Sequence, residues 1–247
     1  MHRIHHVLAL TFGVAAGLLA ASIADADPVT ASAGVTINAL TGKHDTGTSV
    51  ERLTLLPAPI GEIEVRNSRY ALRLEGLPPV RGGVHDETTT LSLLNATARA
   101  FAPGGVFYAG VAETLYNQQT VGGPNANVQP NQTHASRVTG FRIEGGAVVP
   151  LRRNDRLELN LAVNPKMHGI VYTTYTYNDA TYANAESATQ LDVSARRVLQ
   201  RGRVEFIYGV RYINYSARYE MAGAPYDGGL SDRNVGVLPL AGIRYRL

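Results

Sequence analysis

The last thirteen residues restrict the fold more than any other stretch of the chain. Val235, Val237, Pro239, Ala241, Ile243, Tyr245 and Leu247 alternate with Gly236, Leu238, Leu240, Gly242, Arg244 and Arg246. An extended chain sends successive side chains to opposite faces. One face here is therefore apolar to its end, and the other finishes in two arginines. A strand with lipid on one side and a polar lumen on the other requires this pattern.

The same period of two recurs upstream. Leu157, Leu159, Leu161 and Val163 alternate with Glu158, Asn160, Ala162 and Asn164. Val204, Phe206, Tyr208, Val210 and Tyr212 alternate with Glu205, Ile207, Gly209 and Arg211. Leu191, Val193 and Ala195 oppose Asp192 and Arg196, and Phe141, Ile143, Ala147 and Val149 oppose Gly140, Arg142 and Glu144. Tyr70, Leu72 and Leu74 oppose Arg69, Arg73 and Glu75, with weaker strands through 90–101 and 106–118.

Tight turns at 102–105, 151–155 and 200–203 alternate with longer polar links at 78–87, 119–136, 175–187 and 220–233. Outer-membrane barrels alternate short periplasmic turns with long outer loops in this way. Eight strands then lie between Glu62 and Leu247. Residues 27–61 supply two more, Gly34–Leu40 and Val50–Leu56, joined by the polar 41–49 and followed by a short turn at Pro57–Gly61. The expected fold is an all-β, antiparallel up-and-down transmembrane β-barrel of ten strands. An eight-stranded barrel would leave 27–61 as a periplasmic arm.

The N-terminus fits export. Arg3 and three histidines precede an apolar run from Val7 to Ala21, and Ala24-Asp25-Ala26 has the small-x-small pattern of a cleavage site. Residues 1–26 are read as a cleaved signal peptide and 27–247 as a single barrel domain. The apolar run is short for a spanning helix, which needs about 20 residues. The chain has no cysteine, so disulfides and thiolate metal sites are excluded. Losing Arg3 and Asp25 leaves the net charge at +3, which by itself says nothing of nucleic acid, and an exported chain is expected to meet none.

The ending resembles the assembly signal of bacterial outer-membrane barrels: a glycine, then aromatic or apolar residues at alternate positions, then a terminal apolar residue. Gly242, Tyr245 and Leu247 stand in those places, Leu247 where the family prefers phenylalanine. The architecture is similar to the small barrels of the OmpA, OmpX and OmpW kind. That resemblance implies residence in the outer membrane among its lipids, with periplasmic chaperones and the barrel assembly machinery as partners.

With the apolar rows toward lipid, the lumen receives Arg69, Arg73, Glu75, Arg99, Glu113, Arg142, Glu144, Glu158, Asp192, Arg196, Glu205, Arg211, Arg244 and Arg246. Both signs are present, which predicts interior ion pairs rather than a one-sign selectivity lining. Carboxylates confined in a lumen need guanidinium partners to offset desolvation.

Catalytic signals are sparse. His44, His85, His134 and His168 show no ligand spacing, and glycine-rich phosphate loops are absent, so neither metal nor cofactor is expected. His134-Ala135-Ser136 is similar to the His-x-Ser pair of outer-membrane barrel esterases, with histidine as base and serine as nucleophile. Arg137 stands where the phospholipase pattern has asparagine. The aspartate and Asp/His pairs of omptin-type barrel proteases have no counterpart in the loops. The sequence therefore reads as a non-enzymatic outer-membrane barrel with a structural role or an unidentified extracellular ligand. Behind that reading stand a narrow porin-like channel for small solutes and, further back, a lipid hydrolase using His134 and Ser136.

Overall fold

The computed structural model describes residues 29–45, 50–84, 87–122, 132–175, 178–221 and 230–247. The leader reading and His85 lie outside the described residues. Ten antiparallel strands close into one barrel: β1 (Thr30–Asp45), β2 (Val50–Arg66), β3 (Tyr70–Val84), β4 (Glu87–Phe101), β5 (Phe107–Gly122), β6 (Gln132–Arg152), β7 (Asp155–Tyr175), β8 (Asn178–Arg201), β9 (Val204–Met221) and β10 (Leu230–Arg246). Each strand pairs with its neighbours in sequence, and β1 closes on β10 from Ser32 opposite Arg246 to Asn38 opposite Leu240.

Tight connections gather at one end, here called the turn end. The Asn67 side chain accepts hydrogen bonds from the backbone N–H groups of Arg69 (2.8 Å) and Tyr70 (2.6 Å), closing the β2–β3 turn. Gly104 and Gly105 (φ 88° and 70°) turn β4 into β5, and Gly202 (φ 61°) turns β8 into β9. The backbone N–H of Leu247 donates to Ala31 O at 2.9 Å, so the end of β10 is tied to the start of β1 at this end.

The opposite, hairpin end departs from expectation. Polar stretches read as long links are largely strand: β3 runs to Val84 with β4 starting at Glu87, β7 runs to Tyr175 with β8 starting at Asn178, and β1 runs to Asp45 with β2 starting at Val50. Ladder hydrogen bonds need no apolar row, and pairs such as Tyr172 with Tyr182 and Thr173 with Thr181 extend the sheet without one. Strands of 15 to 24 residues exceed the roughly 9–11 that span a bilayer. Pro57–Gly61 is also not a turn but part of β2, and the chain reverses at 67–69. Pro57 and Pro59 pair with Ala39 and Ile37 of β1, in a part of β2 that makes no ladder with β3.

Outward rows are apolar, as the alternation requires. Val35, Ile37, Ile63, Phe141, Ile143, Leu161, Val210 and Ile243 are each about half exposed, a continuous belt that water would solvate poorly. Ala147, expected in that belt, is buried.

Candidate functional site: a charged interior

Seen along each strand, the inward residues are charged in the half nearer the turns. Glu62 and Glu64 come from β2, Arg73 and Glu75 from β3, Arg99 from β4, Arg142 and Glu144 from β6, Arg156 and Glu158 from β7, Asp192 and Arg196 from β8, Glu205 and Arg211 from β9, and Arg244 from β10. The two strands with no member in the array, β1 and β5, make room. A Cβ on Gly110 of β5 would stand 3.1 Å from both Arg99 Cγ and Glu144 Cγ, and one on Gly34 of β1 would stand 3.0 Å from Arg244 Cβ.

These groups form one connected array. Glu62 holds Arg73 (2.5 Å), Arg244 (2.5 Å) and Arg196 (3.2 Å). Arg73 also meets Glu75 (2.8 Å), which meets Arg211 (2.8 Å), which grips Asp192 (2.5 Å). Asp192 meets Arg142 (3.1 Å), and Glu144 joins Arg142 (3.5 Å) to Arg99 (2.5 Å). On the other flank Arg196 meets Glu158 (2.8 Å), and Glu205 meets Arg156 (2.9 Å) and Arg244 (3.1 Å). Arg73, Arg99, Arg142, Arg196, Arg211 and Arg244 are thus matched one for one by Glu62, Glu75, Glu144, Glu158, Asp192 and Glu205. Such balance is what permits charges to be buried at all, because an unpaired one would carry the full desolvation penalty. Arginine suits the role, since its planar fork reaches two carboxylates at once.

The space left within the array is small. A polar cavity bounded by Thr97, Asn160, Ser194 and the array leaves about 20 Å³, room for a water molecule or two. Above it, toward the hairpin end, Asn95 donates from Nδ2 to Glu75 (3.3 Å) and accepts from Thr114 Oγ1 (2.8 Å). Higher still the interior turns apolar. Leu77, Leu93, Tyr116 and Val138 lie in direct register on β3 to β6, and Met167, Ala188 and Tyr215 continue the tier on β7 to β9, where the buried polar Asn164 and Gln190 share a row with Tyr215. Tyr116 and Tyr215 stack across the barrel with ring centroids 4.4 Å apart.

Eleven of the fourteen lumen residues expected from sequence are in this array: Arg73, Glu75, Arg99, Arg142, Glu144, Glu158, Asp192, Arg196, Glu205, Arg211 and Arg244. Arg246 sits at its edge, 3.2 Å from Glu205 with its side chain 42 % exposed. Two corrections stand. Arg69 lies exposed in the β2–β3 turn, because the strand begins one residue later. Glu113 lies between the buried Ala112 and Thr114 and faces outward, where it accepts a hydrogen bond from Thr139 Oγ1 (2.5 Å).

Sequence reasoning missed Glu62, Glu64 and Arg156. The expected turn at Pro57–Gly61 put Glu62 at a strand end, although Ile60, Glu62 and Glu64 against Ile63 and Val65 is itself a period of two. The apolar tier was also missed, since apolar rows were assigned to lipid.

His134 and Ser136 fall within β6, not in a loop. Their register partners are Thr120 and Thr173 for His134, and Gln118 and Val171 for Ser136, with no acid among them. Glu144, the nearest downstream acid, is held by Arg99 and Arg142. His44 lies in β1 and His168, exposed, in β7. Of the ending, Tyr245 and Leu247 are exposed and Gly242 packs against Thr36 and Val35 of β1.

No protein-family model and no curated protein matches the sequence. Solved structures do. The outer membrane protease OmpT from Escherichia coli superposes with a TM-score of 0.54 at 9 % identity, covering 88 % of this chain and 97 % of that one. The translocator domain of autotransporter NalP from Neisseria meningitidis gives 0.41 at 9 % identity over 96 % and 97 %. The P. putida toluene transporter TodX gives 0.35 at 7 % over 89 % and 90 %. At such identities a likeness speaks of fold alone. The chain has the fold of an outer-membrane β-barrel.

Proposed function

We propose that the protein is a small integral outer-membrane barrel of the general kind of OmpA, OmpX and OmpW. In this reading it conducts no solutes, performs no catalysis and acts through the hairpins that rise beyond the membrane. The observation that carries this reading is the connected array from Arg99 across to Arg156, whose paired charges crowd the described interior near the turns. A selective pore would line itself with one sign of charge and keep its centre open. The apolar belt supports residence in a bilayer, and closure of the ladder into a barrel supplies backbone partners that lipid cannot.

The turn end faces the periplasm in this reading, and the hairpin ends face outward. Outer-membrane lipids, chaperones and the assembly machinery are the expected partners, with Gly242, Tyr245 and Leu247 as the segment the machinery reads. Hydrolysis by His134 and Ser136 finds no support, since no acid stands beside the histidine in the sheet.

Planar-bilayer recording tests the reading. Folded, inserted protein should give no discrete conductance steps. Reproducible steps would replace it with the narrow-channel reading. Acyl release from outer-membrane lipids that disappears in Ser136→Ala would replace it with the hydrolase reading.

A further inference from the structure

The barrel wall is not equally stitched. Strands β4 and β5 are paired along their whole length, from Phe101 opposite Tyr108 to Glu87 opposite Gly122. The β2–β3 ladder runs only from Arg66 opposite Ala71 to Gly61 opposite Gly76 and stops, although both strands continue. Extending the register by one step would set Ile60 opposite Leu77. The next two steps would set Pro59 opposite Pro78 and Ala58 opposite Pro79, with Pro57 following. Proline has no N–H to donate, so this ladder cannot continue. The other flank of the same hairpin is similar: β1 leaves β10 after Asn38 opposite Leu240, and the next β10 residue is Pro239. The register within the hairpin itself shifts between Ala39 and Thr41.

The outer part of the β1–β2 hairpin is therefore paired within itself and with neither neighbour. The β2–β3 break begins six residues above Tyr70, about 15 Å up for strands tilted about 40°, inside an apolar belt about 25 Å tall. Beside it, Leu94 is exposed on the outer surface opposite Gly76. In hydrocarbon, an open ladder exposes backbone donors to a solvent that cannot satisfy them. The prolines remove donors from both edges at this place. Inside the break, Ile60 and Leu77 are buried and Leu93 pairs with Leu77, so the seam leads directly to the apolar tier of the interior.

We propose that the β2–β3 seam is a lateral entrance, closed by Ile60 and Leu77 in this structure, through which a hydrocarbon chain passes from the bilayer into the apolar tier above the charged array. The occupant is an unbranched alkyl chain, because both the outer approach (Ile63, Leu74, Leu94) and the inner lining (Ile60, Leu77, Leu93) are aliphatic. Tyr116 and Tyr215 form the far wall, and the charged array below forms the floor that such a chain cannot enter. The seam thus gives an otherwise sealed barrel a site for lipid or fatty acid without a path across the membrane.

The chain has no cysteine, so an introduced pair is unambiguous. Full-length protein is folded into phosphatidylcholine vesicles containing a diazirine-bearing phosphatidylcholine in one arm, and with diazirine-bearing palmitate added in the other. Labelled residues are then mapped by mass spectrometry. Expected is labelling of Leu77, Leu93 or Tyr116 as well as the outward Ile63 and Leu74. The inward labelling should be lost when a Pro59→Cys, Pro78→Cys pair is oxidised across the seam, and recovered on reduction. A Pro59→Thr, Pro78→Thr variant, which restores two donors, should lose it without any disulfide. A Leu94→Cys, Leu115→Cys staple across the stitched β4–β5 pair should leave it unchanged.

Labelling by palmitate alone assigns a free fatty acid, and by the phospholipid alone a membrane lipid; either supports the entrance. Inward labelling unaffected by both seam variants, or labelling confined to Ile63 and Leu74, overturns it. The proposal rests on membrane insertion, which a heat-modifiable gel shift reports separately. Protein that inserts but takes no inward label refutes the entrance alone, and protein that fails to insert refutes the barrel reading with it.

Discussion

The two halves of the interior are filled by opposite chemistry. Near the turns, six buried arginines and six carboxylates lock strands β2 to β4 and β6 to β10 together, and the ladders around them are continuous apart from register shifts in β6–β7 at Arg142 and beside Pro150. Toward the hairpins the described filling is largely aliphatic and aromatic around the polar Asn164 and Gln190, and the ladders on both flanks of the β1–β2 hairpin stop at prolines. A charged filling is specific and unforgiving: each group depends on particular partners. An apolar filling tolerates exchange with another apolar body of similar size. The difference separates a charged floor fixed by its own ion pairs from an apolar tier where the proposed alkyl chain would lodge.

The largest effect is expected at the most connected carboxylate. Glu62→Gln leaves Arg73, Arg196 and Arg244 without their shared counter-charge. Removing one partner of a buried pair costs about 3–5 kcal/mol. Urea unfolding of the inserted protein should register a loss of that order; a loss below about 1 kcal/mol would mean the array is solvated and the floor open.

Truncating the apolar tier should cost somewhat less. Tyr215→Ala removes a buried ring stacked on Tyr116, and such truncations cost about 3 kcal/mol where the site cannot collapse. Added alkyl ligand should recover part of the loss in this variant and none of it in Glu62→Gln. Equal recovery in both would erase the distinction between the halves.

The outer surface gives a scale for both. Leu161→Arg places a guanidinium in the apolar belt, where the penalty is about 2–4 kcal/mol at mid-membrane depth. Glu113→Gln, on the outward row, should change stability by less than about 1 kcal/mol, since its carboxylate belongs to no buried array. A large loss for Glu113→Gln would restore it to the lumen where the sequence had put it.

Much of the barrel was legible because its signal is local. Alternation at Leu157–Asn164 and Val204–Tyr212 assigns faces without knowledge of any partner strand, and the charged residues follow from the faces. What failed depends on information beyond the strand. Pro57–Gly61 reads as a turn because proline and glycine usually end strands, yet a strand edge without a partner needs no donors and keeps its prolines. Glu62 was lost with that turn. Glu113 went inward because charge alone was used to assign it, whereas its neighbours Ala112 and Thr114 are too small to declare a face. The tier of Leu77, Leu93 and Tyr116 looks from sequence like more lipid-facing surface, and only the register shows it turned inward. The hairpin ends carry no clear apolar alternation in the sequence, so nothing there announces that the strands continue.

A barrel closed by its own ion pairs must have a sealed charged floor. Thr97 lines the small polar cavity within it and is buried. In the cysteine-free background, Thr97→Cys in vesicle-inserted protein should resist a small charged methanethiosulfonate supplied from either side, while Arg153→Cys at the exposed turn reacts at once. Modification of Thr97→Cys as fast as Arg153→Cys would show a water path through the array and contradict a barrel closed by its own ion pairs.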